Sequence, residues 1–329
     1  MKKLIISLLT SGMIVSFIII NGCEEDDYPV SSAQTEEMRL NTNGTIVPVN
    51  HTQASGNMFI TNQNGKPISG ITASNVTAEL RWGTDNPLDS GTTGVVSVSH
   101  NALSGSNVAC ALTMDYSGSM LIPQINCMKI GINNYINSMR YDDITEIIKF
   151  ATVVSVVQPF TNNKDSLKAA INNYTLNIGT YTALYASIQQ GINDVKLKSP
   201  NFIRSVVAFS DGVDNNSAPV TREQMISNAL NTGVPVYTIF LYNDTLGTPY
   251  RDMKNIADTT GGFNFWVQPD SCSNVTQFYN KIRILLVSSY NITIDWQGIL
   301  PPTGTIARAT ITTTYNGLTS SFTRSYIIP

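Results

Sequence analysis

Near both ends of the chain, apolar and polar residues take turns. Val76, Ala78, Leu80 and Trp82 alternate with Thr77, Glu79 and Arg81, the period of a strand with one buried face. Met58–Thr61 and Val95–Ser99 read as two more strands, with a turn at Asn64-Gly65 after the first. Tyr290 to Trp296, Ile306 to Thr314 and Ser321 to Ile328 alternate in the same way. Asn316-Gly317 between the last two predicts a tight hairpin, because both residues tolerate positive φ. Three leading strands are few for an independent sandwich. The strands of both ends are therefore expected to complete one small β-sandwich, with the middle of the chain inserted in it.

The middle, from about Asn107 to Ser289, keeps a different rhythm. Short apolar runs alternate with helical periods, which predicts a doubly wound, mostly parallel α/β sheet, Rossmann-like in layering. The expected strands are Val108–Met114, Glu146–Ala151, Val153–Pro159, Ser205–Ser210, Pro235–Leu241 and Phe263–Val267. Ile125, Met128, Ile132, Ile136 and Met139 recur as one helix face, and Leu184, Ile188, Ile192 and Val195 as another. Thr221 with Gln224 has the spacing of a capping box, and Gly261-Gly262 closes a helix through Met253 to Ala257. Val275, Phe278, Ile282 and Leu285 mark a last helix.

The first residues carry a different message. Lys2 and Lys3 precede an apolar run, Leu4 to Ile20, that ends in Asn21-Gly22-Cys23. The run is long enough for an anchor helix, but the small residue and cysteine after it resemble the lipobox of a bacterial lipoprotein signal. Residues 1–22 are then a leader, and Cys23 is the lipidation site that holds the chain to a membrane of the cell envelope, at the outer membrane or cell surface. Glu24-Glu25-Asp26-Asp27 reads either as a solvated start of a tether or as a surface-export signal. On this reading the domain boundaries are 1–22 leader, 23–50 tether, 51–106 N-terminal β region, 107–289 α/β domain and 290–329 C-terminal strands.

Composition narrows the function. The 329 residues carry a formal net charge of −3 and only 13% charged residues, with no basic stripe of the kind that binds nucleic acid. Cys110, Cys127 and Cys272 remain after Cys23, and their spacing matches no zinc pattern. Cys110 on a strand and Cys127 on the next helix lie at similar depths below the sheet edge, so a bridge between them and two buried thiols both stay open.

The chemistry concentrates at Asp115-Tyr116-Ser117-Gly118-Ser119, where the first α/β strand meets its helix. Ligands of open α/β sheets bind outside the carboxyl ends of the strands. A carboxylate followed by two hydroxyls at alternate positions converges oxygens on one point, and oxygen ligands of low charge suit Mg²⁺ or Mn²⁺. Thr182 and Asp211 are expected at the same edge, the second just before Gly212. Asp214 is close by on that loop and is not assigned as a ligand.

These pieces, in this order, resemble the metal-ion-dependent adhesion site of von Willebrand factor type A domains. The resemblance covers about residues 107–289, including Val234 to Ile239 and Thr259-Thr260-Gly261-Gly262. It implies that Ser117 and Ser119 ligate the metal directly, that Thr182 does so in one conformational state, and that Asp115 and Asp211 hold it largely through water. The run Gly179-Thr180-Tyr181-Thr182 departs from the Gly-Gly-Thr frequent in the family, which leaves Thr180 as an alternative to Thr182. Five ligands leave one coordination position for a partner's Asp or Glu. The resemblance thus implies a protein ligand, with two alternatives: a subunit or scaffold of a larger envelope complex, or a metal-dependent hydrolase. Catalysis is not expected, because His51 and His100 both lie outside this region and no nucleophile has a base in view.

Overall fold

The computed structural model describes residues 39–83, 90–101, 107–173, 179–212, 214–241, 246–267 and 281–329. The expected leader, Cys23, most of the tether, Cys272, Val275 and Phe278 lie outside the described residues. In chain order the strands are β1 (Leu40–Gly44), β2 (Val47–Asn50), β3 (Gln53–Asn62), β4 (Val76–Trp82), β5 (Ser90–His100), β6 (Asn107–Asp115), β7 (Ile144–Phe150), β8 (Val154–Thr161), β9 (Phe202–Ser210), β10 (Val236–Phe240), β11 (Asn264–Trp266), β12 (Tyr290–Trp296), β13 (Ile306–Tyr315) and β14 (Leu318–Ile327). The helices are α1 (Ile122–Ser138), α2 (Lys164–Asn172), α3 (Leu184–Val195), α4 (Arg222–Thr232) and α5 (Thr248–Thr260), with residues 281–287 also helical. None of the described helices is long and apolar enough to cross a membrane.

Strands from the two ends of the chain pair in a single antiparallel sheet of eight strands, ordered β1-β3-β12-β5-β4-β13-β14 with β2 beside β3. This corrects the expected sandwich. Because β12 pairs with both β3 and β5, the ladder is continuous and no second sheet forms. The sheet curls until its outer strands approach, and Thr42 N–H donates to Ser320 Oγ at 3.0 Å. Its inner face buries Leu80, Ile292, Ile294 and Ile311, the apolar half of each alternation. Thr77, Arg81, Arg308 and Thr323 stay on the outside. Asn316 and Gly317 form the two-residue turn between β13 and β14, with φ of 50° and 78°. A second correction concerns the tether. Leu40–Asn50 forms β1 and β2, because Leu40 and Ile46 find burial against β3 that a linker would not supply.

The inserted region leaves this sheet at Asn101 and returns at Tyr290. The two ends are held together: Asn101 N–H donates to the Ser289 carbonyl at 2.8 Å, and its side-chain amide to Ser289 Oγ at 2.6 Å. Between them a six-stranded sheet forms in the order β11-β10-β9-β6-β7-β8. Five strands run parallel, and β8 pairs antiparallel to β7 at the edge.

The central strands are apolar on both sides, as a sheet covered on both faces demands. On one face Val108, Cys110, Leu112 and Met114 of β6 pack with α1, α2 and residues 281–287. On the other, Ala109 and Ala111 pack with α3, and α4 and α5 complete the layer. Helix α2, short and capped by Asn163 through the amides of Asp165 and Ser166, has no counterpart among the expected helices. The Thr221–Gln224 capping box opens α4, and Gly261 closes α5 in the left-handed region.

The two sheets meet at that helix end. Gly261 lies so close to β1 that an added Cβ would sit 2.4 Å from the Gly44 carbonyl oxygen. Arg324, buried on β14, donates to the Gly44 carbonyl at 2.8 Å and to the Asp258 carbonyl at 3.1 Å. Phe59 of β3 meets Tyr237 edge-on at 6.0 Å. Neither alternative left open for Cys110 and Cys127 holds: Cys110 is a free, buried thiol, whereas Cys127 is disulfide-bonded. The partner of Cys127 lies outside the described residues.

Candidate metal centre

The strand order places the site. From β6 the chain first builds outward through β7 and β8, then crosses to β9, β10 and β11 on the other side. The carboxyl ends of β6 and β9 therefore form the crevice where the winding reverses. Met114 pairs with Phe209 across these parallel strands, so Asp115 and Asp211 leave the sheet side by side.

Asp115 is fully buried at the end of β6. Its carboxylate accepts from the Ser117 amide at 2.8 Å and from the Ser210 hydroxyl at 2.5 Å. Ser210 in turn accepts from the Gly212 amide at 2.9 Å. Ser117 Oγ and Ser119 Oγ are 3.2 Å apart, and the nearby Ser119 hydroxyl favours the ionised form of Asp211. The four predicted groups of these two loops thus lie together at the sheet edge. Gly212 follows with φ of 94°, turning the backbone away where a side chain would press on Phe240.

Thr182 comes in from the third loop. It is buried, and its amide donates to Asn215 Oδ1 at 2.7 Å. Its carbonyl accepts from the amides of Asn215 and Asn216. The Asp211 loop therefore holds Thr182 in place by three backbone-directed bonds. Thr180 is exposed, and its carbonyl accepts from the Gly118 amide at 2.9 Å, which docks this loop against the first. Tyr181 N–H is held by Thr152 Oγ1 at 3.0 Å.

The electrostatics of the site are set by two buried carboxylates. Burial pushes the Asp115 carboxyl up to about 7, against hydrogen bonds from Ser117 and Ser210 that favour ionisation, and the neighbouring Asp211 charge pushes the same way as burial. Burial also raises Asp211. Asp211 is only 7% exposed, yet its Oδ1 has no hydrogen-bond partner. A buried carboxylate oxygen without a donor is costly. Two crowded carboxylates, an orphaned oxygen and hydroxyls without a competing nitrogen or sulfur fit a hard divalent cation. Among the described residues no cluster of three or more His, Cys, Asp or Glu forms. A cation here would depend on Ser and Thr oxygens.

Three residues matter more than their sequence signal suggested. Ser210 supports Asp115, and Asn215 ties Thr182 to the Asp211 loop. Asp214 accepts from the Tyr185 amide at 3.1 Å and from the Ser217 hydroxyl. It braces the start of α3 and so is no neutral neighbour of the site. Only the short Ser210-Asp211-Gly212 run hinted at the first, and no pattern in the sequence pointed to the other two.

The family model described as von Willebrand factor type A domain matches residues 111–213, the stretch that holds all five candidate ligands. The similarity to that family is thus shown for residues 111–213. Similar solved structures include an aerotolerance-related membrane protein from Bacteroides fragilis, at 18% identity over 55% of this chain and 98% of that one, with a TM-score of 0.46. A von Willebrand factor type A protein from Catenulispora acidiphila is 11% identical over 88% of this chain and 72% of that one, with a TM-score of 0.49. Proximal thread matrix protein 1 from the mussel byssus, with a zinc-occupied MIDAS motif, is 16% identical over 55% and 48%, with a TM-score of 0.46. No curated protein matches the chain.

Proposed function

We propose that this chain binds a protein partner through a divalent cation, Mg²⁺ or Mn²⁺, held at the carboxyl edge of the parallel sheet. Ser117, Ser119 and Thr182 would hold the ion directly, and Asp115 and Asp211 would balance its charge. Thr182 is preferred to Thr180 because it is buried and fastened to the Asp211 loop, whereas Thr180 is exposed. The observation that carries the reading is the buried, unpartnered Asp211 Oδ1, close enough to a second buried carboxylate, Asp115, for the two charges to oppose each other. Ser119 is exposed, so the site opens outward and a partner's Asp or Glu can complete the coordination. Both histidines belong to the antiparallel part of the chain, with His100 stacked edge-on against Tyr290. Binding is therefore a better reading than catalysis.

The test is a pull-down from the native environment with Mg²⁺, with EDTA as control. Asp211→Ala should weaken capture on the order of 100-fold, as EDTA does, because truncating a buried charge leaves its counter-charge unmatched. Asp142→Ala, an exposed carboxylate on the opposite edge, should bind normally. Asp214→Ala is unsuitable as a control because Asp214 braces α3. Wild-type capture by Asp211→Ala would refute the reading.

We further propose that the chain is a lipoprotein of a bacterial envelope, anchored through Cys23. The support is the apolar run ending in Gly22-Cys23. Mass spectrometry should find a mature chain beginning at acylated Cys23; an intact Met1 or unmodified cysteine would refute it.

A further inference from the structure

Five large apolar side chains stand in solvent on the loops around the candidate metal centre. Leu121 and Ile122 follow the first ligand loop and are 62% and 75% exposed. Val153 is 54% exposed at the end of β7, Tyr181 is 58% exposed beside Thr182, and Leu246 is 78% exposed before α5. These loops are locked to one another and to the site. Gln124 ties the Leu121 amide to the Leu241 carbonyl, with bonds of 2.6 and 2.8 Å. Thr152 holds Tyr181, and Gly212 packs against the Pro249 carbonyl at the start of α5. At the opposite edge, the described loops expose only Tyr141 and Leu197.

Charge on this edge is as one-sided as its hydrophobicity. The described loop residues 116–121, 151–153, 179–183, 211–212, 214–221 and 246–247 include no Lys or Arg. Their carboxylates are Asp211 and Asp214, the second already satisfied by Tyr185 and Ser217. Among these described loop residues an approaching anion meets no positive charge except a bound cation; Arg222, at the start of α4, is paired with Asp252, and Arg251 stands in the first turn of α5. A phosphate or sulfate ester would need an Arg or Lys fork that the described loop residues do not supply. A single carboxylate needs only the ion, and apolar neighbours on the same ligand would then cover the exposed ring.

We propose that the partner presents one Asp or Glu flanked by bulky apolar residues, which pack on Leu121, Ile122, Val153, Tyr181 and Leu246 around the ion. This inference rests on the cation-dependent binding proposed above. The ion supplies the anchor, and the apolar ring supplies affinity through removal of exposed surface from water.

A displayed random-peptide library tests it, selected on the full chain in Mg²⁺ and released by EDTA. The released pool should be enriched in a single acidic residue with Leu, Ile, Phe, Val or Trp beside it. Changing Ile122, Tyr181 and Leu246 together to Ser should weaken the best peptide about tenfold, roughly the effect of losing one well-buried apolar contact. Mn²⁺ binding by that variant, measured by calorimetry, should be unchanged. A released pool whose acidic residue has polar or glycine neighbours, or a serine variant that binds as well, overturns the apolar ring and leaves the metal anchor standing. A pool rich in basic residues, or no enrichment, also overturns it. Peptides that bind equally in EDTA would instead sink the metal anchor itself.

Discussion

The two sheets of this chain solve the same burial problem in opposite ways. The antiparallel sheet buries one face of each strand and leaves threonines, serines and charges on the other. Its strands run in both directions, so neither edge gathers strand ends of one kind. The parallel sheet buries both faces, and all five of its parallel strands end at one edge. That edge collects Asp115, Ser117, Ser119, Thr182 and Asp211 from three separate loops. Sidedness comes from strand direction, and the antiparallel sheet serves as a clasp that joins the ends of the insertion at Asn101 and Ser289.

If the clasp is structural and the edge functional, damage to each should have distinct signatures. The largest expected effect on stability is at the contact between the sheets. Gly261→Ala places a Cβ 2.4 Å from the Gly44 carbonyl and forces a side chain into a φ of 93°. Overpacking and strain together should cost about 2–4 kcal/mol, read as an earlier midpoint in urea, while cation binding at the far edge persists. Unchanged stability would show that the contact yields easily and that the two sheets are loosely joined.

A middle-sized effect comes from the parallel sheet's interior. Glu146 on β7 is pushed up to about 8, first by burial and then by Asp194 on α3, with Lys198 opposing. Its Oε2 has no hydrogen-bond partner. The folded state holds this proton more tightly than the unfolded chain does, so stability falls as pH rises from about 4.5 to 8. Glu146→Gln should match wild type below the lower limit. At pH 8 it should be more stable by about 1–2 kcal/mol, a figure reduced for partial solvent screening. Denaturant curves of the two proteins at both pH values give the difference directly. A variant less stable at pH 8 would mean that the carboxylate is held by contacts worth more than its burial costs.

The sequence showed these regions unequally well, for physical reasons. Period-two alternation survives wherever one face meets water, so β4, β12, β13 and β14 could be read almost to their ends. The strands of the parallel sheet were readable as apolar runs of the right length between helical periods. Three things were hidden. The alternation marks a buried face but not what covers it, so a curled sheet and a sandwich look alike. Leu40–Asn50 is polar enough to resemble a linker and becomes strand only through pairing with β3. The supports of the site, Ser210 and Asn215, act through single hydrogen bonds that leave no periodic trace.

The smallest expected effect separates the two regions most cleanly. A cation at the candidate centre would tie together three loops that are far apart in sequence and would relieve the crowding of Asp115 and Asp211. Anything that binds only the folded state stabilises it by mass action. With an affinity of about 0.1–1 mM, a few millimolar Mg²⁺ adds roughly 1–2 kcal/mol, a rise of about 2–6 °C in Tm for a domain of this size. Asp211→Ala should abolish that rise while leaving the Tm in EDTA close to wild type, since the residue it removes has an unsatisfied oxygen there. Gly261→Ala should do the reverse, starting from a lower Tm and gaining the same increment from Mg²⁺. The two changes lie at opposite ends of the fold and share no partner, so their effects should add. If Gly261→Ala loses the Mg²⁺ increment, the clasp and the edge are coupled, and the antiparallel sheet takes part in cation binding. If wild type gains nothing from Mg²⁺ or Mn²⁺, the orphaned carboxylate at the edge serves some purpose other than holding an ion.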